Sequence, residues 1–382
     1  MLYLTLKNAL YRPARSILTV LAVAAILAEI LILEGFLAGS YEQMRQAVLR
    51  RGGDVIVAQN GISNFLAARS ILPQQTRARV EAVEGVKATH PLTSIMQIYE
   101  SGGRLSPIII LVYDDVGGDN AGGPTRIISG NAPTGEREIV VDRSLAQRYK
   151  LGPGDTLTIS DYDFTISGIS KDSAALFTPF AFMSYDSLID FYFESDVADD
   201  ISAFPLLSFL SVEVTDGANP SEVAKKITTE VETTNALLPE VLATNDENMS
   251  RDLLGPVLNL LLGLSYVIGA LAIGMFMFAA VRAQQSSFGV LRALGFTTRR
   301  LVLGVIAEAV VISLLAIPLG ILLAAGLAAF IQAYAPVYLV LVNEPAALWR
   351  TGLIAILLAV LGALAPLQIL RKLDPATAFR GG

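Results

Sequence analysis

The stretch Arg282-Ala-Gln-Gln-Ser-Ser-Phe-Gly-Val-Leu-Arg-Ala-Leu-Gly-Phe-Thr-Thr-Arg-Arg300 is a short basic segment set between two long apolar runs. No charged residue occurs from Leu253 to Val281, and only Glu308 interrupts the uncharged run from Leu301 to Asn343. Runs of that length and composition read as membrane spans. A basic connector between two spans belongs on the cytoplasmic side.

Working outward, two more spans appear. The first covers 16–37, the second 253–281, the third 301–332 and the fourth 348–370. The second would make a helix of about 43 Å. It exceeds about 30 Å of hydrocarbon, so its outer end is expected to project as a stalk. Pro318 is expected to kink the third. A cleaved leader is the alternative for the first run, but that run is longer than a signal-peptide core and holds Glu29 and Glu34.

Charge orients the set. Residues 1–15, the connector 282–300 and the tail 371–382 carry a net charge of +9, whereas residues 38–252 hold 17 Lys and Arg against 30 Asp and Glu, a net of −13. The basic blocks and both termini are therefore expected in the cytoplasm of a multi-pass protein of the cell (inner) membrane. Residues 38–252 form a large extracytoplasmic domain between the first two spans, and 333–347 form an outer loop. Only 16% of the chain is charged, against about a quarter in soluble domains. With no Cys and one His, His90, thiolate-ligated metals and two-His sites are excluded.

The outer domain reads as α+β. Strands are expected at 54–58, 107–113, 138–141, 156–160, 163–169 and 210–214, being short, β-branched and bounded by Gly, Pro or Asp. Helices are expected at 74–83, 143–150, 184–193 and 220–232, the last opening on Pro220. His90 precedes Pro91 in a turn-like stretch and is expected at the surface. Gly117–Pro124 lacks the Lys of a phosphate-binding loop and reads as a flexible surface loop. Asp114, Asp115 and Asp119 lack regular calcium-loop spacing.

In the connector, a helix over 284–294 places Phe288, Leu291 and Leu294 on one face, with Arg292 elsewhere and Gly295 where a helix C′ residue belongs. Periodicity alone leaves two readings open: docking to a soluble protein, or an interfacial helix on lipid.

The block Phe288-Gly-Val-Leu-Arg-Ala-Leu-Gly-Phe296 resembles the cytoplasmic coupling segment of FtsX/MacB-type ABC transporter permeases. Leu373-Asp-Pro-Ala-Thr-Ala378 resembles that family's C-terminal signature, and 142–169, with Gly154-Asp155, resembles its outer-domain core. The layout of one span, a large outer domain and three spans matches as well. Span one and its Arg12–Leu21 lead-in are similar to DevC-like exporters. The resemblance implies a non-enzymatic permease subunit coupled to a separate cytoplasmic ABC ATPase, which would bind the ATP and Mg. It further implies a homodimer, efflux of an amphiphilic substrate and a periplasmic adaptor protein as partner. Phe288, Leu291, Arg292, Leu294 and Gly295 would be the coupling residues. This chain holds no P-loop of its own and no cofactor or nucleic-acid partner is expected. The alternative within the family is a mechanotransmission subunit that moves no substrate and activates an extracytoplasmic partner. A membrane-anchored sensor and a secondary transporter are weaker alternatives, the latter for want of an internal repeat.

Glu29, Glu34 and Glu308 are the intramembrane acids, and such groups are functional candidates by default. Glu34 is expected near the outer interface and solvated, Glu308 paired with Arg299, Arg300 or another helix, and Glu29 deepest. Small residues four apart, Ala270 with Gly274 and Gly320 with Ala324 and Ala328, predict close helix packing, within one chain or across a dimer.

Overall fold

The computed structural model describes residues 13–66, 69–101, 104–114, 122–124, 126–175, 177–195 and 207–364. Lys7 and Arg12, Asp115 and Asp119, and the tail signature from Leu373 to Ala378 lie outside them. The chain divides into two compact units. One comprises the described residues up to Gly39, Leu254–Tyr334 and those from Val340 onward; the other comprises Ser40–Leu253 and Ala335–Leu339.

The membrane unit is helical. Its elements are α1 (Pro13–Leu49), α6 (Pro239–Ala283), α7 (Gln285–Ala293), α8 (Thr298–Tyr334) and α9 (Pro345–Leu364). All but α7 are long and apolar enough to cross a membrane. Helix α8 runs uninterrupted through Pro318. The core joins Val23, Ala24, Leu27 and Ile30 of α1 to Ile273 and Met277 of α6, Val305 and Ala309 of α8, and Ala355 and Ala359 of α9.

Small residues make this packing possible. A Cβ on Gly320 would lie 3.0 Å from Leu27 Cβ and 3.1 Å from the Ala24 carbonyl oxygen, and one on Gly362 would lie 2.9 Å from Gly274 N. Ala324 and Ala328 are buried with Ala28 and Leu31. The small-residue stripes are thus used within the chain, bringing α8 onto α1 and α9 onto α6.

The outer unit is built on one sheet. In chain order its strands are β1 (Val55–Gln59), β2 (Val86–Ser101), β3 (Arg104–Tyr113), β4 (Ile127–Gly130), β5 (Glu138–Asp142), β6 (Thr156–Ile159), β7 (Tyr162–Ser170), β8 (Ala174–Ala175), β9 (Thr178–Ser184), β10 (Phe209–Val214) and β11 (Thr234–Leu237). The order across the sheet is β11-β1-β10-β2-β3-β9-β5-β7-β4, with β6 on β7 and β8 on β9. Pairing is mixed: β3–β9 and β5–β7 are parallel, while β2–β3 and β1–β10 are antiparallel.

Short helices α2 (Thr76–Glu81), α3 (Arg143–Tyr149), α4 (Tyr185–Glu194) and α5 (Pro220–Glu230) cover the sheet. The last three start on side-chain caps. Asp142 accepts from Ser144 N–H, Ser184 from Ser187 N–H and Asn219 from Ser221 N–H, with Pro220 at the first turn. One core packs Leu145, Leu188 and Phe191 on Ile108, Ile110 and Phe164.

Two sequence expectations fail here. His90 lies inside β2, opposite Ser211 of β10, and is buried with Nε2 3.3 Å from Glu213 Oε1. Pairing with β10 overrides the local turn signal of Pro91. Of the expected surface loop Gly117–Pro124, residues 117–121 lie outside the described residues and Gly122–Pro124 are buried, Gly122, at φ +92°, packing against Leu92 and Tyr113. Asp114 lies 3.8 Å from Arg77.

Candidate coupling segment and intramembrane acids

Helix α7 is the predicted connector helix, and it ends as its sequence dictates. Gly295 adopts φ +89°, Phe296 N–H donates to the Leu291 carbonyl at 3.1 Å and Gly295 N–H to the Arg292 carbonyl at 3.0 Å. This pair of bonds is a Schellman cap, which needs a residue at positive φ and favours glycine there. It turns the chain sharply before α8, whose first turn exposes Arg299 and Arg300.

The exposed face of α7 differs from the expected one. Phe288 is half-buried and packs against the membrane-unit core. Leu291 and Arg292 are intermediate, and Gly289 is buried. The exposed residues are Ser286, Ser287, Val290, Ala293 and Leu294, with Val290 at 46% and Leu294 at 72%. At 100° per residue this is one coherent face, opposite Phe288. The i, i+3, i+6 spacing placed Phe288 with Leu294, but six residues rotate a helix through 600°, a net 120° apart. That was wide enough to put one residue inside and one outside.

The acids also sort differently. Glu34, expected to be solvated, is 6% exposed. Its Oε1 accepts from the Tyr266 hydroxyl at 3.0 Å, and its Oε2 lies 3.4 Å from Arg350 Nη2. Helices α1, α6 and α9 are thereby joined by one carboxylate. The neighbouring Gly35 carbonyl accepts from Leu341 N–H at 2.9 Å, and a Cβ on Gly35 would lie 2.9 Å from Leu341 O. Glu29 is exposed on the bundle surface and accepts from Ser265 Oγ at 3.2 Å. Glu308 is half-buried on α8. Sequence reasoning missed Tyr266 and Arg350 as partners. The available signal was a lone cation one turn into the fourth span, next to the single Trp, Trp349.

In the outer unit, α1 and α6 meet again. Arg45 Nη2 is 2.8 Å from Glu240 Oε2 and its Nη1 3.5 Å from Glu247 Oε2. Arg251 lies 4.1 Å over the Tyr41 ring. Below these contacts Met44, Ala47 and Val48 share a core with Leu242, Ala243 and Phe209. Asp246, fully buried, accepts from Phe65 N–H at 2.7 Å and Leu66 N–H at 3.3 Å. Burial raises its pKa to about 6, against the lowering pull of those donors.

A protein-family model described as MacB-like periplasmic core domain matches residues 16–230, and one described as FtsX-like permease C-terminal matches residues 259–375. The chain belongs to the FtsX/MacB family of ABC transporter permeases. Within this family, the sheet-rich outer unit is the extracytoplasmic domain, inserted after the first of four membrane-spanning helices. An uncharacterized ABC transporter permease of Mycobacterium tuberculosis (strain ATCC 25618 / H37Rv) is 24% identical over 390 residues, covering 100% of both chains. An uncharacterized ABC transporter permease of Mycobacterium bovis is 23% identical, again over 100% of both. Among solved structures, the periplasmic region of MacB from Actinobacillus actinomycetemcomitans aligns with 13% identity and a TM-score of 0.36, covering 52% of this chain and 94% of that one. The extracellular domain of the noncanonic ABC-type transporter YknZ from Gram-positive bacteria aligns with 12% identity and a TM-score of 0.36, covering 48% and 98%.

Proposed function

We propose that this permease works as a homodimer with two copies of a cytoplasmic ABC ATPase, and that ATP binding and hydrolysis there drive export of an amphiphilic substrate. The termini and α7 lie in the cytoplasm. The ATPase and its Mg carry the phosphate chemistry, and the permease contributes none. The observation that carries this reading is the exposed face of α7. Val290, Ala293 and Leu294 form an apolar strip beside two exposed arginines, Arg299 and Arg300, on a helix fixed at its far end by a Schellman cap. Burying a Val or Leu side chain contributes about 1.5–3 kcal/mol, so two such anchors suffice to seat the helix in a partner cleft. Phe288 holds the other face to the membrane core and passes the motion inward.

The outward path is α1 and α6. Each is a single helix contributing residues to both units, and in the outer unit each is built into the hydrophobic core and cross-linked through Arg45. A force along either helix would act on the sheet directly. The same feature supports the second reading, a mechanotransmission subunit that moves an outer partner instead of a substrate.

The test is reconstitution of the permease with its captured ATPase. A spin-label pair across the outer unit should change separation when ATP is added, and stimulation of hydrolysis by an amphiphile separates export from mechanotransmission. An ATP-insensitive outer unit overturns both readings.

A further inference from the structure

Glu29 and Glu34 are five residues apart on α1, yet their surroundings differ. Glu34 is buried and satisfied by Tyr266 and Arg350. Glu29 is exposed, and its hydrogen bond comes from Ser265 Oγ. That hydroxyl has one proton to give, and the Leu261 carbonyl competes for it at 3.0 Å. No ion pair joins Glu29 to another described residue.

Its depth makes this unusual. Arg350 and Trp349, in the first turns of α9, mark the outer interface at the level of Glu34. Five residues at about 1.5 Å each set Glu29 about 7.5 Å deeper. A carboxylate exposed on the helix bundle at that depth is costly. Around it the surface is apolar. Leu18, Leu21 and Ala25 share its exposed stripe on α1, at three- and four-residue spacing, and on α6 Leu261, a turn from Ser265, and Leu264, next to it, are exposed.

We propose that Glu29, with this apolar surround on α1 and α6, binds the cationic group of an amphiphilic substrate. The carboxylate supplies the charge that an apolar face cannot, Ser265 steadies it, and the leucines take the substrate's apolar body. The site rests on the exporter reading and narrows its substrate class to amphiphiles bearing a positive charge.

The full-length permease in phosphatidylcholine nanodiscs can be tested with tetraphenylphosphonium, an apolar permanent cation, and with tetraphenylborate, its anionic isostere. The native chain should bind the cation saturably above empty discs and should not bind the anion so. Glu29→Gln should weaken that binding about tenfold or more, a change of at least about 1.4 kcal/mol, and Glu29→Asp should retain it. On the native chain, tetraphenylphosphonium should also protect Glu29 from a hydrophobic carbodiimide, read by peptide mass mapping. Equal affinity in native and Glu29→Gln, no saturable binding by the native chain, equal binding of the anion, or unprotected Glu29 each overturns the proposal. ATPase recovery, scored on the same preparation, reports separately on the permease reading. A lost cation site with the ATPase retained removes the site alone.

Discussion

Replacing Gly362 with alanine should loosen the membrane unit, and the structure sets the size of the effect. The new Cβ would lie 2.8 Å from Ile273 Cγ2, 2.9 Å from Gly274 N and 3.2 Å from Ile273 C. Two of those atoms are backbone, so no rotamer change relieves them, and α9 must move off α6. A separation of about half an ångström already forfeits about a quarter of each contact's attraction, and overpacking of this kind costs about 1–3 kcal/mol. Alanine returns up to about 1 kcal/mol of helix propensity. The net expectation is a loss of about 1–2 kcal/mol. Gly326→Ala is the control: nothing lies within 4 Å of its Cβ, so it should be neutral or slightly stabilising. Thermal unfolding of the solubilised full chain can be followed through the single tryptophan, Trp349, on α9 itself. If Gly362→Ala melts with or above Gly326→Ala, the close α6–α9 contact is refuted.

Three further outcomes are expected. Asp246 has a folded-state pKa raised from 3.8 to about 6. Its contribution is therefore fully present below about pH 4 and lost as pH rises through about 6, by about 3 kcal/mol. Denaturant titrations of the native chain should show that slope and Asp246→Asn should flatten it. Arg350→Ala leaves Glu34 buried with Tyr266 alone. Because the arginine is 60% exposed at its side chain, the loss should be about 1–2 kcal/mol, below the range for a fully buried pair, and Glu34→Gln should largely rescue it in a melting assay. Phe288→Asp should destabilise the membrane unit in the same assay, whereas Ser287→Asp, on the exposed face, should not.

Much of this architecture was readable because the signals were long. Four apolar runs, the charge contrast and the β-branched strands bounded by Gly and Pro all exceed the noise of single residues. The connector helix and its Gly295 cap were also local, fixed by chain geometry. What the sequence hid was tertiary. His90 looked like a turn residue until its strand paired with β10. Glu34 looked solvated because its partners, Tyr266 and Arg350, are more than two hundred residues away. Phe288 and Leu294 share a 3.6-residue periodicity only loosely, and packing against the membrane-unit core decided which of them turned inward. The small-residue stripes announced close packing without naming the partner helix, which the Gly320–Ala24 and Gly362–Gly274 approaches now supply.

The central claim is that an ATPase docks on the Val290–Leu294 face of α7. The direct measurement is recovery of that ATPase, scored by ATP turnover, with the affinity-purified full chain carrying Val290→Asp and Leu294→Asp. The account predicts that turnover falls to background while the permease remains in the membrane with an unchanged melting profile. Full recovery of the ATPase with both aspartates in place would contradict it.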